Sequence, residues 1–297
     1  MYNINYSIIK FEIKFLQDSK LNVNKQSAIR GIIGNTLINE NCIMPLDKRE
    51  CKDCLLNNKC IAQNIFSPKI KNGAVDEWIS PFVIICDDKR EFIKNGDIMS
   101  FAMIFFCGTV SYIPLVIRVV ENAGKTLGIE KNKFKLLSVL NDKQDEIYDG
   151  EIIKPQLVNV KSLQEYIDYR LSISNDINVI KIINPIRFKK NKKFNDDLVE
   201  KDIINLIKRR LITLATLEER ELEVQGDFTI EIKRKELKWE EFNRYSNRQS
   251  SRMSLGGVTG LIELGEISED AKKLLIAGEL IHIGKNTSFG LGDYILY

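Results

Sequence analysis

The residues able to do chemistry in this 297-residue chain gather in two places. Toward the C-terminus, residues 239–261 read WEEFNRYSNRQSSRMSLGGVTGL, with Arg244, Arg248 and Arg252 recurring every four positions. That interval keeps all three on one face of a helix, and also on one face of a strand. Tyr245 lies among them, so guanidinium forks and a stacking ring combine, a pairing that can hold phosphates and stack an unpaired base. Residues 278–296 follow as GELIHIGKNTSFGLGDYIL, with the only histidine, His282, then Lys285, Gly284, Gly290 and Gly292. Glycines let backbone N–H groups approach a phosphate chain closely. Two mononucleotide motifs fail here. Gly284-Lys285-Asn286 lacks the earlier glycine and the Ser/Thr of a Walker loop, and Gly290-Leu291-Gly292 lacks the third glycine of a dinucleotide fingerprint.

The second place is a cluster of four of the six cysteines, Cys42, Cys51, Cys54 and Cys60. A disulfide framework is not expected in a cytoplasmic chain. Four thiolates with a C-x-x-C knuckle can close a tetrahedral shell around a structural zinc in an insertion too small for its own core. An iron–sulfur cluster uses similar ligands, and free thiols are the plain alternative. Cys86 and Cys107 sit in apolar runs and read as core residues.

The balance of 44 Lys/Arg against 41 Asp/Glu says little by itself, but its distribution says more. Residues 181–255 hold 18 basic and 13 acidic side chains. Lys181, Arg187, Lys189, Lys190, Lys192 and Lys193 occur with no acid between them. Such local patches suit a polyanion, and a solvated charged face is the alternative for either patch alone. A hydrophobic share of 44% excludes disorder and collagen-like repeats. The longest apolar run, residues 98–107, is about half of what a membrane-spanning helix needs. With no signal-peptide pattern, a soluble cytoplasmic protein without a membrane partner is expected.

These groups need a scaffold, and the periodicity supplies one twice. Residues 6–16 alternate as a strand, and Ser27 is placed to cap a helix with Ile29, Ile32, Ile33 and Leu37 on one face. The cysteine-bearing insertion, about residues 40–70, follows. Residues 78–86 and 99–106 read as buried strands, 109–122 as a helix with Pro114 in its first turn, and 134–140 as a last strand. Strand, helix, strand, strand, helix, strand is the ferredoxin-like order. After a polar junction the pattern restarts. Residues 179–188 read as a strand, 198–219 as a helix, 228–233 and 257–265 as strands, 268–277 as a helix, with a final strand at Ile281. The expected fold is α+β, two tandem ferredoxin-like (RRM-like) domains, 1–150 and 151–297.

Trp239, Arg244-Tyr245-Ser246, Arg248-Gln249, Leu255-Gly256-Gly257, Gly260, Gly265, Gly278-Glu279, and His282 through Lys285 with Ser288 through Gly292 resemble the CRISPR-associated endoribonuclease family that processes precursor CRISPR RNA (RAMP superfamily). Asn184-Pro185-Ile186-Arg187-Phe188 is similar to that family's proline-plus-basic strand. Ile29-Arg30-Gly31 and the Cys51/Cys54/Cys60 knuckle ending in Phe66-Ser67-Pro68 resemble its N-terminal half. The resemblance implies two ferredoxin-like domains and an RNA-binding glycine-rich loop. It also implies cleavage within a repeat RNA without a catalytic metal, leaving a 2′,3′-cyclic phosphate.

In that chemistry the substrate's 2′-hydroxyl attacks the adjacent phosphate, so the protein must take a proton, support negative charge and hold the hydroxyl in line. Histidine suits the first role, Lys or Arg the second, and Tyr can orient the phosphate or donate a proton. His282, Lys285 and Tyr245 are therefore the catalytic candidates. Many family members carry a histidine in or after the first helix, whereas residues 25–61 here contain none. Either His282 serves, or Arg30, Lys48 or Arg49 does, or cleavage is weak or absent. RNA contacts are expected from Arg187, Lys189, Lys190, Arg244, Arg248, Arg252, Gly284, Gly290 and Gly292. Internal pairing with Glu240 or Glu241 is the alternative for Arg244 and Arg248. A second hypothesis is a non-catalytic guide-RNA-binding subunit working with other CRISPR effector subunits. A DNA-binding module is disfavoured, since no recognition-helix pattern is present.

Overall fold

The computed structural model describes residues 1–44, 51, 54–56, 59–66, 68–72, 75–78, 80–174, 176–241, 243–246 and 251–297, with the side chains of 69–72, 75–78, 243–246 and 251–254 outside that description. The chain forms two compact units, Asn5–Val160 and Met1–Ile4 with Lys161–Tyr297.

In the first unit, alternation along β1 (Asn5–Phe15) buries Ile9, Phe11, Ile13 and Phe15 on one face. A short strand β2 (Ser19–Lys20) leads into α1 (Gln26–Asn41), followed by α2 (Ile61–Phe66), β3 (Lys69–Asn72) and β4 (Val75–Trp78). Then come β5 (Phe82–Ile85), β6 (Phe92–Ile93), β7 (Ile98–Phe106), α3 (Ile113–Thr126), β8 (Phe134–Asn141) and β9 (Glu146–Tyr148). The antiparallel sheet runs β5-β7-β1-β8-β9, and Phe11 stacks on Phe101 of β7 at 4.8 Å. Ile29, Ile33 and Leu37 of α1 and Val116, Ile117 and Val120 of α3 complete the core. Pro114 lies in the first turn of α3, where its missing N–H costs nothing.

Two local expectations are corrected. The strand expected over 78–86 divides around Pro81, which has no N–H to give a ladder. Helix α1 begins two residues earlier than a Ser27 cap would allow, with Lys25 at the cap position. The Lys25 ammonium is buried and donates to the Asp88 carbonyl at 2.8 Å.

The second unit contains β10 (Lys161–Ser162), α4 (Leu163–Ile173), β11 (Val179–Ile186), β12 (Lys189–Lys190), β13 (Lys193–Phe194) and α5 (Glu200–Thr216). It continues with β14 (Ile230–Glu240), β15 (Asn243–Ser246), β16 (Ser251–Ser254), β17 (Gly257–Ile267), α6 (Glu269–Ile281) and β18 (Tyr294–Leu296). Its main sheet runs β14-β17-β11-β18, so the first strand lies between the third and the fourth, as β1 does in the first unit. Both units therefore have the ferredoxin-like order. Helix α4 has a reciprocal capping box between Ser162 and Glu165. The strand expected at Ile281 is instead the last turn of α6, and β18 starts only at Tyr294. The apolar residues Leu280, Ile281 and Ile283 bury in either conformation, so their pattern does not say which forms.

Candidate nucleic-acid interface

Residues 282–293 join α6 to β18, and they are pinned to the end of β11. The Lys285 N–H donates to the Arg187 carbonyl at 2.7 Å, the Gly292 N–H to Pro185 at 2.9 Å, and the Ile283 N–H to Gly292 at 3.0 Å. The path needs left-handed backbone at Gly284 (φ +86°) and Gly292 (φ +77°), and a Cβ on Gly292 would lie 1.8 Å from the Ile283 carbonyl oxygen. Asp293 finishes the loop. Its carbonyl accepts from the Ile183 and Asn184 N–H groups, and its carboxylate accepts from the Asn184 amide at 3.0 Å. Within 282–293 only Lys285 and Asn286 are exposed.

Pinning the loop here brings cations together. Partial desolvation, then the neighbouring charges of Arg209, Lys189 and Arg187, push the Lys285 ammonium below its usual value. Each of these three charges is positive. The Arg187 guanidinium is also pushed down by burial, with Glu241 opposing, and its Nη1 donates to the Gly256 carbonyl at 2.6 Å. A lysine destabilised by three neighbouring cations describes a site for an anion with several oxygens, and a phosphate chain fits that chemistry. Lys190 is at the edge of this group and is paired with Asp202 at 3.4 Å.

Arg209 was not anticipated from the sequence. It belongs to the run Lys208-Arg209-Arg210, whose members point about 100° apart on α5. Lys208 covers the Phe228 ring at 4.0 Å, and buried Arg210 donates to the Ile281 carbonyl at 3.2 Å, which leaves Arg209 as the one acting on Lys285. An unbroken cationic triplet in an amphipathic helix was the available signal.

His282 lies beneath this surface. It is 1% exposed, and its backbone at φ +54°, ψ 151° is unusual for a residue with a side chain. Its Nε2 is 3.6 Å from Asp293 Oδ1, and neither ring nitrogen makes a well-formed hydrogen bond, although the Leu291 backbone lies close enough to favour the protonated ring. Burial pushes the imidazole pKa down, Asp293 opposes that shift, and Arg210 adds to it. The expectation of an RNA-facing proton-transfer histidine thus meets a residue with no surface to present in this conformation.

Residues 180–294 match the family model of the CRISPR-associated endoribonuclease Cas6, and residues 4–162 match a model described as an N-terminal domain. The C-terminal region of the chain is thus similar to the Cas6 family. An uncharacterized protein of Archaeoglobus fulgidus is 26% identical over 272 residues, which cover 89% of each chain. Among solved structures, a partial Cas6-RT-Cas1–Cas2 complex superposes with a TM-score of 0.62 at 16% identity, over 99% of this chain and 46% of that one. The chain thus spans under half the length of that relative. A Cas6 product complex gives 0.57 at 12% identity (98% and 100% coverage), and Thermus thermophilus Cas6 gives 0.52 at 13% (98% of each). These likenesses show a shared fold.

The arginine stretch, within the region matched by the Cas6 model, is a β15–β16 hairpin. Its register pairs Tyr245 with Arg252 and Arg244 with Met253. Directly opposed positions share a face and adjacent ones do not, so Arg244 and Arg252 hold positions on opposite faces, contrary to the single face expected. Arg248 lies outside the described residues. The four expected metal ligands, Cys42, Cys51, Cys54 and Cys60, are all free thiols, and Cys42 closes α1. The thiolate donor set suits zinc chemically. Among the described residues, however, no group of three or more Cys, His, Asp or Glu side chains is arranged to hold a metal ion. Among the described residues, no helix is long and apolar enough to cross a membrane.

Proposed function

We propose that this chain binds CRISPR repeat RNA and cuts it in the precursor transcript by attack of the RNA's own 2′-oxygen. The observation that carries this reading is the convergence of Arg187, Lys189 and Arg209 on Lys285 of the glycine-rich loop, within the region that matches the Cas6 model. In the reaction the 2′-hydroxyl loses its proton, its oxygen bonds to phosphorus, and the bond to the 5′-oxygen breaks. The 5′-oxygen takes a proton, and a 2′,3′-cyclic phosphate remains. Lys285 and Arg187 would support the negative charge that grows on the phosphate oxygens. The lowered affinity of Lys285 for its proton also suits it to proton transfer. Tyr245 remains the candidate for orienting the phosphate. We assign His282 to holding the loop in shape rather than to touching RNA, because it is buried.

A single 2′-deoxy substitution at the scissile nucleotide should abolish cleavage while leaving binding intact, and EDTA should leave the rate unchanged. Cleavage of the 2′-deoxy substrate would overturn the mechanism. The burial of the only histidine also favours a second reading, a subunit that retains guide RNA within a CRISPR effector assembly without cutting it. Tight repeat binding with no product after long incubation would select that one.

A further inference from the structure

We propose that Phe194 and Trp239 form a ledge on which an unpaired RNA base stacks, flanked by the cations that hold its phosphate. The ledge rests on the RNA-binding reading above and adds to it a subsite with its own geometry. Strands β12 and β13 are joined by Asn191 and Lys192, both at positive φ, a two-residue turn that tightly fixes the register of Lys189 opposite Phe194. Phe194 remains 41% exposed at the end of this hairpin, an unusual setting for a phenylalanine with no core to fill. Its ring lies 3.8 Å from the Arg187 guanidinium and 4.9 Å from the Lys189 ammonium. The Trp239 indole stands 6.4 Å away, inclined at 53°.

Both rings are held from behind. Trp239 Nε1 donates to Glu241 at 3.1 Å, which satisfies the indole's single polar group and leaves its faces to apolar contact. A Cβ on Gly256 would lie 2.7 Å from that nitrogen, so the indole packs directly against backbone. The carbonyl of the same glycine accepts from Arg187. Stacking rings and phosphate-binding cations thus share one support. Aromatic faces beside a cationic track are the chemistry of single-strand binding, where stacking supplies affinity and charge follows the backbone. Lys189, Lys190, Lys192 and Lys193 on the same hairpin favour a polyanion over an apolar peptide.

The test uses the full chain with Trp78→Phe, which leaves Trp239 as the sole indole. Single-stranded repeat RNA should quench Trp239 fluorescence, with a midpoint matching the anisotropy change of the labelled RNA. Phe194→Ala should weaken single-strand binding by roughly 5- to 150-fold. The salt dependence should not change, because no phosphate contact is removed. Phe194→Leu, which keeps apolar bulk without a π face, should weaken binding as well and guards against misfolding. A fully paired RNA of the same sequence should be indifferent to either change. Normal binding by both variants with unquenched Trp239 would overturn the ledge and leave RNA binding standing. Failure of the unsubstituted chain to bind RNA at low salt would overturn both.

Discussion

The two units meet the same topological junction, from second helix into last strand, in different ways. In the first, residues 127–133 return the chain from α3 to β8 in seven positions. The Gly128 N–H closes the helix on the Ala123 carbonyl at 2.8 Å, and the Glu130 carboxylate accepts from the Asn22 backbone at 3.1 Å. In the second, residues 282–293 take twelve positions, settle against β11 and bring Lys285 into a group of cations. Both junctions use a glycine at positive φ, yet one ties its Glu130 carboxylate to Asn22 and the other brings a lysine among like charges. The fold fixes where the junction occurs, and its length and charge determine what it can hold.

The largest contrast should come from Lys285→Ala, which we expect to slow single-turnover cleavage about 10²- to 10³-fold, as loss of one charge-stabilising donor does elsewhere. Lys131→Ala, at the matching junction of the first unit, should leave the rate within about twofold. Equal effects would erase the distinction between the two turns.

Gly292→Ala and Gly128→Ala come next. Each places a Cβ against a carbonyl oxygen, 1.8 Å and 2.3 Å away, at positive φ. Each should cost more than about 1 kcal/mol by thermal or urea unfolding. Only Gly292→Ala should also weaken RNA binding. Arg209→Ala should have a smaller effect, reducing the slope of log affinity against log salt by about 0.7. An unchanged slope would remove Arg209 from the phosphate path.

The smallest effect should be one of pH. Burial lowers the folded pKa of His282 below its unfolded value of about 6.5. The unfolded chain therefore binds the extra proton first, so stability is complete above that value and declines as pH falls below it. His282→Gln should flatten this decline in the second unit, as followed by chemical denaturation. A steeper decline in the variant would reverse the sign assigned here.

How much of this was legible in the sequence depended on whether side-chain type alone decides the outcome. The alternation of Ile9, Phe11, Ile13 and Phe15 requires one buried face, and the stripe Ile203, Ile207, Leu211 and Leu214 requires a helix against a core, so β1 and α5 were readable. The loop glycines and Lys285 were readable as a phosphate-approaching segment. The burial of His282 was not, because an imidazole is stable either inside or outside and only the path of residues 282–293 decides. Nor could spacing show that Arg244 and Arg252 hold positions on opposite faces of a two-stranded hairpin rather than following along one element. Phe194 is not legible in the sequence because its importance comes from Arg187 and Trp239, seven and 45 positions away.

Because ten of the twelve residues in the long junction are turned inward or half-covered, it presents little lettering of its own to a ligand. A designer wishing to retarget the protein would gain little by rewriting it. The interchangeable parts are Asn286 and the hairpin that carries Phe194, whereas Gly292 and Asp293 are the mounting that any exchanged part would have to fit.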